Sequence, residues 1–292
     1  MAVIQGLLIL FTSLTFGTEY TRFLFSGGID SLNSAMPVIF GDLIILIFIP
    51  SLYIASKIVK DRPFSSYSSS WGGWNFKLYL KALVIPVILY VIFGLIDSVL
   101  NGEKGTFQFS ILFLIALFIT IPLQSIAEEY MFRGLAMQTL GSWFKIPVLA
   151  LIIQAVIFAL AHGYNTFGLF EILVNGLMWG FFAWKTGGLE VCSALHTANN
   201  FSVGLLVMFG MHTSTSSPQL STVLAAIVFQ LVLCAIMYYV GNKTNWFGEL
   251  PENSQNIWFS YQYSFYSFFS FEYLFLLSIF LNIFTNIVSN SM

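Results

Sequence analysis

Long apolar tracts, separated by short polar or Gly/Pro-containing breaks, run along almost the whole chain. A helix needs about 20 apolar residues to cross the hydrocarbon core of a bilayer, so each long tract predicts a membrane-spanning helix. We expect a bundle of about eight helices; with the first and last segments both counted there are nine, and one is then interfacial or re-entrant. The approximate bounds are 2–16, 36–57, 80–100, 109–141, 146–168, 169–185, 189–211, 220–241 and 272–288. The first tract has no Lys or Arg before it and no small-x-small site after it, so we expect a retained helix and not a cleaved signal peptide.

The expected fold class is all-α, a polytopic transmembrane helix bundle with a buried polar active site. The chain divides into N-terminal transmembrane helices with a cytoplasmic loop (1–108), a core that carries the polar clusters (109–211) and C-terminal transmembrane helices (212–292). Composition agrees, because 58% of the 292 residues are hydrophobic and 8% are charged, against about 25% charged in soluble domains. The net charge of −2 and the lack of a basic stretch exclude nucleic acid as a partner.

Basic residues set the expected orientation. The loop between the spans 36–57 and 80–100 carries five of the eleven Lys and Arg residues, and placing it in the cytoplasm puts eight inside and two outside. The protein is then an integral multi-pass protein of a bacterial cell membrane with a cytoplasmic N-terminus. Within that loop, the Ser/Gly/Trp-rich stretch 64–74 predicts a flexible or surface-lying connector, because its composition cannot build a core.

Charged residues inside the span 109–141 are the first candidate for chemistry. Glu129 and Arg133 are four residues apart, so a helix places them on one face as an ion pair. Glu128 points about 100° away from that face and needs another partner. Charges within a span cost a few kcal/mol each and mark functional sites. We therefore assign Glu128 to chemistry and Glu129 to support.

Two further polar clusters lie in later tracts. His162 ends a Phe-x-x-x-His unit that begins at Phe158, and His196 and Asn200 are four apart on one helix face. Counted from the cytoplasmic ends of their spans, Glu128, His162 and His196 lie at depths of roughly 20, 24 and 15 Å. Since span bounds vary by several residues, the three clusters are expected to meet near mid-membrane and share one water.

At these residues the chain resembles the CAAX-processing and bacteriocin-processing (CPBP, or Abi) family of intramembrane proteases, which includes the type II CAAX prenyl endopeptidases. Three motifs carry the resemblance, in order along roughly residues 110–205. They are Glu-Glu-x-x-x-Arg (Glu128, Glu129, Arg133), Phe-x-x-x-His (Phe158, His162) and His-x-x-x-Asn (His196, Asn200). The resemblance implies an endopeptidase with Glu128, His162, His196 and Asn200 in catalysis and with Glu129, Arg133 and Phe158 in support.

Two mechanisms are open at this point. In the metal version, His162, His196 and Glu128 bind Zn²⁺ or another divalent metal, which activates a bound water. In the metal-free version, Glu128 and His162 activate the water while His196 and Asn200 hold the oxyanion. No other cofactor is expected.

The expected partners are the lipid bilayer and a membrane-embedded or lipidated peptide or protein substrate. Prenylated C-terminal motifs and bacteriocin precursors are both implied by the resemblance. Two other functions compete with proteolysis. The first is a non-catalytic immunity or regulatory protein of the same fold, and the second is an ion-coupled transporter with Glu128 and His162 as a relay.

Overall fold

The computed structural model describes residues 14, 34–102 and 105–246. The predicted segments 2–16 and 272–288 therefore lie outside the described residues, apart from residue 14. In chain order the helices are α1 (Ala35–Leu46), α2 (Phe48–Val59), α3 (Ser65–Ser68), α4 (Phe76–Asn101), α5 (Ile111–Ile115), π1 (Ala116–Thr120), α6 (Ile121–Glu129), π2 (Tyr130–Met137), α7 (Gln138–Phe144), α8 (Pro147–Leu160), α9 (Thr166–Thr186), α10 (Glu190–Met208) and α11 (Leu220–Lys243).

The all-α prediction is confirmed, since the described ranges hold helices and no strand. Within the described part of the chain, six helices are long and apolar enough to cross a membrane, which makes the protein a multi-pass membrane protein. They are Ala35–Val59, Phe76–Asn101, Ile111–Phe144, Thr166–Thr186, Glu190–Met208 and Leu220–Lys243. Each lies within a few residues of a predicted span.

The predicted span 146–168 differs from the helix that forms there. Helix α8 has 14 residues and ends at Leu160, so it is about 21 Å long, less than the roughly 30 Å of the hydrocarbon core. Asn165 explains the difference: its side chain accepts a hydrogen bond from the Gly168 backbone N–H at 2.9 Å and so begins α9. His162 consequently lies in the turn between α8 and α9, beyond the end of its predicted helix.

The helix from Ile111 to Phe144, called the long helix below, contains two stretches of π-helix, π1 and π2. Wider π turns change which side chains share a face, and they occur frequently at functional sites. Within π2, Gly134 allows close packing, because a Cβ there would lie 3.0 Å from the backbone oxygen of Tyr67 and 3.3 Å from Leu189 Cδ1. The long helix ends at Lys145, whose φ of 56° is left-handed.

The chain forms two compact units, each assembled from three stretches. The first takes in Met1–Ser51, Leu80–Glu128 and Ser193–Ser216, and the second takes in Leu52–Tyr79, Glu129–Cys192 and Ser217–Met292. The division into 1–108, 109–211 and 212–292 follows position along the chain and stays a prediction.

Apolar packing holds each unit together. In the first unit a cluster joins α1, α5, π1, α6 and α10 through Val38, Phe113, Ala116, Leu117, Ile121, Val207 and Met208. In the second unit α8 and α9 pack closely, because a Cβ on Gly176 would lie only 3.1 Å from the Cα of Ala155. Small residues at such crossings are typical of membrane helices, where close backbone approach replaces the hydrophobic effect as the source of stability.

The stretch 64–74 lies at the surface only in part: Trp71 and Gly72 are exposed, but the residues before them are packed inside, which its composition does not predict. Ser66, Tyr67, Ser68 and Ser69 are all buried. An isolated bridge pairs Ser69 with Gly188 in antiparallel fashion. The polar side chains and backbone of this stretch find their hydrogen bonds in the second unit, which is why a segment with few aliphatic residues is packed there.

Candidate active site

Glu128 and His196 come together in the first unit. Glu128 is on α6 and His196 is on α10, and the Glu128 Oε2 atom lies 3.6 Å from the His196 Nε2 atom. Both residues are buried. Glu128 points away from Arg133 on its helix, so another partner was expected for it. His196 is that partner.

Asn200 is tied to the same face of the long helix. Its amide nitrogen donates to Gln124 Oε1 at 3.2 Å and to Ser125 Oγ at 3.3 Å. Gln124 in turn donates from Nε2 to Glu128 Oε1 at 2.8 Å. A chain of hydrogen bonds therefore runs from Asn200 to the carboxylate of Glu128.

Gln124 and Ser125 are site residues that the sequence analysis missed. Both are buried polar residues within a membrane span. Gln124 lies one helical turn before Glu128, and that i, i+4 spacing is the signal that could have identified it.

The two oxygens of Glu128 differ in their surroundings. Oε1 accepts the hydrogen bond from Gln124. Oε2 is buried and accepts no hydrogen bond from any residue in the described ranges, although it faces His196. A buried carboxylate oxygen needs a donor to offset the cost of its desolvation. Oε2 is therefore the atom of this cluster best placed to take a proton from a water.

A further buried acid, Asp42, lies in the same unit on α1. Thr120 donates a hydrogen bond from Oγ1 to Asp42 Oδ2 at 2.5 Å, and Asp42 lies near enough to Glu128 for their charges to interact. Thr120, Gln124 and Glu128 follow one another at intervals of four, so they form one polar stripe along the long helix.

Glu129 and Arg133 come together in the second unit as predicted. Arg133 Nη1 donates to Glu129 Oε1 at 2.9 Å, and both side chains are fully buried. Arg133 Nη2 also donates to the backbone oxygen of Gly176 at 3.2 Å. The guanidinium lies 4.4 Å from the centre of the Phe158 ring and 5.7 Å from that of Trp179. Phe158 therefore supports the arginine, and the pair is a buried brace between the long helix and α9.

His162 also lies in the second unit, half-buried against Phe158. Their ring centres are 4.6 Å apart in an edge-to-face arrangement. His162 Nδ1 lies 2.7 Å from the Phe158 backbone oxygen, and because a carbonyl oxygen only accepts, Nδ1 carries the proton. In the neutral ring Nε2 then keeps its lone pair, which suits a base.

The predicted site residues thus fall into two groups. Glu128, His196 and Asn200 are joined in the first unit. Glu129, Arg133, Phe158 and His162 are joined in the second. Participation of His162 in one site with Glu128 and His196 stays a prediction from the motifs.

A metal ion at this site would need several coordinating side chains close together. Among residues 14, 34–102 and 105–246, no three His, Cys, Asp or Glu side chains form a group that could hold a metal ion. A catalytic zinc takes three protein ligands. Glu128 and His196 give two donors in the first unit, and His162 lies in the second, so a metal held by these three residues stays a prediction from the motifs.

Comparisons with known proteins agree with the motifs. Residues 106–202 match the family described as type II CAAX prenyl endopeptidase Rce1-like. "Uncharacterized protein YyaK" of Bacillus subtilis (strain 168) is 27% identical over 193 residues, covering 62% of this chain and 64% of that protein. The match thus spans less than two thirds of the relative's own length. No solved structure matches the chain.

All three motifs, from Glu128 to Asn200, fall inside the matched range. The resemblance predicted from those residues is therefore confirmed: residues 106–202 of this chain are similar to the family described as type II CAAX prenyl endopeptidase Rce1-like.

Proposed function

We propose that this protein is an intramembrane endopeptidase that hydrolyses a peptide bond of a membrane-associated protein or peptide. One observation carries the proposal: the buried Oε2 atom of Glu128 faces the imidazole of His196 at 3.6 Å and has no hydrogen-bond donor among the described residues. A carboxylate and an imidazole at this spacing can act on one water together, with contacts that shorten when substrate binds.

The reaction uses Glu128 as general base and then as general acid. Glu128 Oε2 takes a proton from the water, and the water oxygen forms a bond to the scissile carbonyl carbon. The carbonyl oxygen becomes an oxyanion. When the C–N bond breaks, the proton on Glu128 passes to the departing amine, so the carboxylate is restored.

His196 and Asn200 stabilise the oxyanion in this proposal. Both lie on α10 one turn apart, so an oxygen bound between them meets two N–H donors. The two hydrogen bonds of the Asn200 amide, at 3.2 and 3.3 Å, are long. Exchanging one of them for a charged oxygen is therefore favourable.

His162 assists the water in this proposal, with its Nε2 lone pair as a second base. Support for this role comes from the motif and from the hydrogen bond that fixes the tautomer. Glu129 and Arg133 do not react in this proposal; they are paired with each other and hold the helix that carries Glu128.

The proposed substrate class rests on the family that residues 106–202 match. A type II CAAX prenyl endopeptidase acts on prenylated CAAX proteins, so a prenylated C-terminal peptide is the first substrate to test.

We also propose the bacterial cell membrane as the location and the cytoplasm as the side of the loop rich in Lys and Arg, on the asymmetry of basic residues.

The test uses purified protein in detergent with a farnesylated CAAX peptide and an unmodified membrane-spanning peptide, followed by mass spectrometry of the products. Wild-type protein should cleave at least one of the two, and Glu128→Gln should not. Asp97→Asn is the matched control, because Asp97 is a half-buried acid of another span that accepts a hydrogen bond from Asn101 one turn away. Cleavage by folded Glu128→Gln at the wild-type rate would overturn the proposal. Absence of any cleavage by wild type, with a biological effect that survives Glu128→Gln, would favour the non-catalytic alternative.

A further inference from the structure

The segment from Arg62 to Asn75, called the clamp segment below, holds two helices that carry proposed catalytic residues. All of its contacts described here are within the second unit. It follows α2 and precedes α4. Its partners are the part of the long helix that begins at Glu129 and the turn that leads into α10.

The first anchor of the clamp segment is Tyr130. Its ring stacks on Phe64, with centres 5.6 Å apart and planes 7° apart, and on Trp74, with centres 6.1 Å apart and planes 19° apart. Its hydroxyl is 2.5 Å from Ser68 Oγ. Tyr130 directly follows Glu129 and is two residues after Glu128. The clamp segment thus fixes the rotation of the long helix at the first residue of π2.

The second anchor is the turn 187–190. Leu189 donates from its backbone N–H to the Ser68 oxygen at 2.9 Å, and Ser70 donates to the Gly187 oxygen at 2.7 Å. The Asn75 backbone N–H donates to Glu190 Oε1 at 2.7 Å. Glu190 is the first residue of α10, six residues before His196. The same segment therefore holds the start of the second helix.

Glycines let both anchors approach closely. A Cβ on Gly188 would clash with Glu190 Oε2 and lie 3.1 Å from Ser69 Cβ. Gly134 of π2 admits the Tyr67 backbone in the same way. A connector lying on the surface would not need glycine at either position, because no neighbouring atoms would be this close. The two glycines therefore indicate a segment that is packed against its neighbours.

A buried arginine secures the start of the clamp segment. Arg62 donates from Nε to Ser66 Oγ at 2.7 Å and from Nη2 to Gln138 Oε1 at 2.5 Å. Its guanidinium lies 3.9 Å from the centre of the Tyr67 ring. Burying a cation with this set of partners makes detachment of the segment costly.

We propose that the clamp segment sets the register of the long helix and α10, and that Tyr130 and Glu190 are its positioning residues. This inference rests on the proposed peptidase function, because it concerns the helices that carry Glu128 and His196. A helix transmits a shift along its axis, and catalytic groups must be held to within about half an ångström of productive geometry. Loosening either anchor should therefore slow the chemical step more than it weakens substrate binding.

The first experiment does not depend on activity. Hydrogen exchange followed by mass spectrometry is measured on peptides covering 64–75 and 186–190 in wild type, Tyr130→Leu and Glu190→Ala. We expect exchange in these peptides to rise at least about tenfold in both variants while peptides of α11 keep their protection. Wild-type exchange rates in Glu190→Ala would overturn the proposal.

The second experiment separates positioning from general loss of structure. With a cleaved peptide as probe, Tyr130→Leu and Glu190→Ala should lower kcat about tenfold and leave KM within about twofold. Glu190→Gln should restore kcat, because its amide oxygen still accepts from Asn75. Tyr238→Leu is the matched control, since that tyrosine packs against Phe181 in the same unit and lies outside the clamp segment.

The two readouts distinguish the failure of the inference from the failure of the proposed function. If an active enzyme keeps its wild-type kcat in a variant whose clamp segment exchanges tenfold faster, the segment does not position the site. If the wild-type protein cleaves neither peptide, the proposed peptidase function fails. The hydrogen-exchange experiment still tests the clamp segment in that case. Unchanged exchange in Glu190→Ala would show that Glu190 does not hold the segment, and faster exchange would show that it does in the wild-type protein.

Discussion

Arg133 and Glu129 form a fully buried ion pair, with 2.9 Å between Nη1 and Oε1 and no exposed part of either side chain. Removing one partner leaves the other charge buried and uncompensated. Glu129→Leu and Arg133→Met should each lower the free energy of unfolding by about 3–5 kcal/mol. The double variant should lose less than either single variant, because no charge remains.

Thermal unfolding in detergent measures this coupling. Arg133→Lys should not restore stability, since lysine cannot both reach Glu129 and donate to the Gly176 oxygen from a planar fork. Additive losses in the double variant would show that the pair does not act as a unit.

Glu128→Gln tests the proposed general base. Glutamine is close to isosteric and keeps an oxygen for the hydrogen bond from Gln124, so the variant should fold. It cannot take a proton, and kcat should fall by at least about a hundredfold with KM little changed. Progress curves on a cleaved peptide, with circular dichroism as the folding check, give the answer. A folded variant with wild-type kcat would remove Glu128 from the chemistry.

The Glu129–Arg133 pair was predictable because it depends only on spacing within one helix. The network around Glu128 was not, since Asn200 reaches Gln124 and Ser125 from another helix. Which helices are neighbours is decided by packing, and one sequence does not state it. The i, i+4 step from Gln124 to Glu128 was nevertheless present and could have been used.

Two local features show where reasoning from composition fails. The apolar pattern predicts an end of α8 near residue 168, which is too late because apolar residues continue past the true end at Leu160. Asn165, the N-cap of α9, was a signal in the sequence for a new helix there. The composition of the clamp segment predicts a surface connector because the segment has few aliphatic residues. Its packing depends on hydrogen bonds instead, and composition does not show these. Its backbone hydrogen bonds at Ser68 and Ser70 join residues more than a hundred positions away.

His162→Ala tests the motif residue whose role is least supported by contacts. The half-buried ring contacts the Phe158 oxygen through a hydrogen bond and packs against the rings of Phe158 and Tyr164, so its loss should cost about 1–2 kcal/mol of stability. If its Nε2 assists the water, kcat should fall about a hundredfold or more. Tyr164→Phe, a change at the next aromatic residue in the same turn, is the control. Retention of activity in His162→Ala would confine catalysis to Glu128, His196 and Asn200.

Thr120→Val tests the partner of Asp42. The exchange keeps the volume and removes the hydroxyl that donates to the buried carboxyl group. The free energy of unfolding should fall by about 1–3 kcal/mol. Asp42→Leu in the same background should recover part of the loss, because no buried acid is then left without a donor. Equal stability of wild type and Thr120→Val would show that the hydrogen bond contributes nothing.

Metal content separates the two mechanisms that the motifs leave open. The proposed mechanism uses side chains alone, so we expect zinc far below one equivalent in purified wild-type protein and in His196→Ala alike. Chelator should leave the cleavage rate within about twofold of the untreated rate, because the proton acceptor is a carboxylate and the oxyanion is held by N–H donors. Elemental analysis and a chelator titration on one preparation check both statements. Stoichiometric zinc that disappears in His196→Ala, together with loss of cleavage in chelator and recovery on zinc addition, would replace the side-chain mechanism with a metal one. In that case His196 is a ligand, and Asn200 is left as the residue that positions the substrate carbonyl.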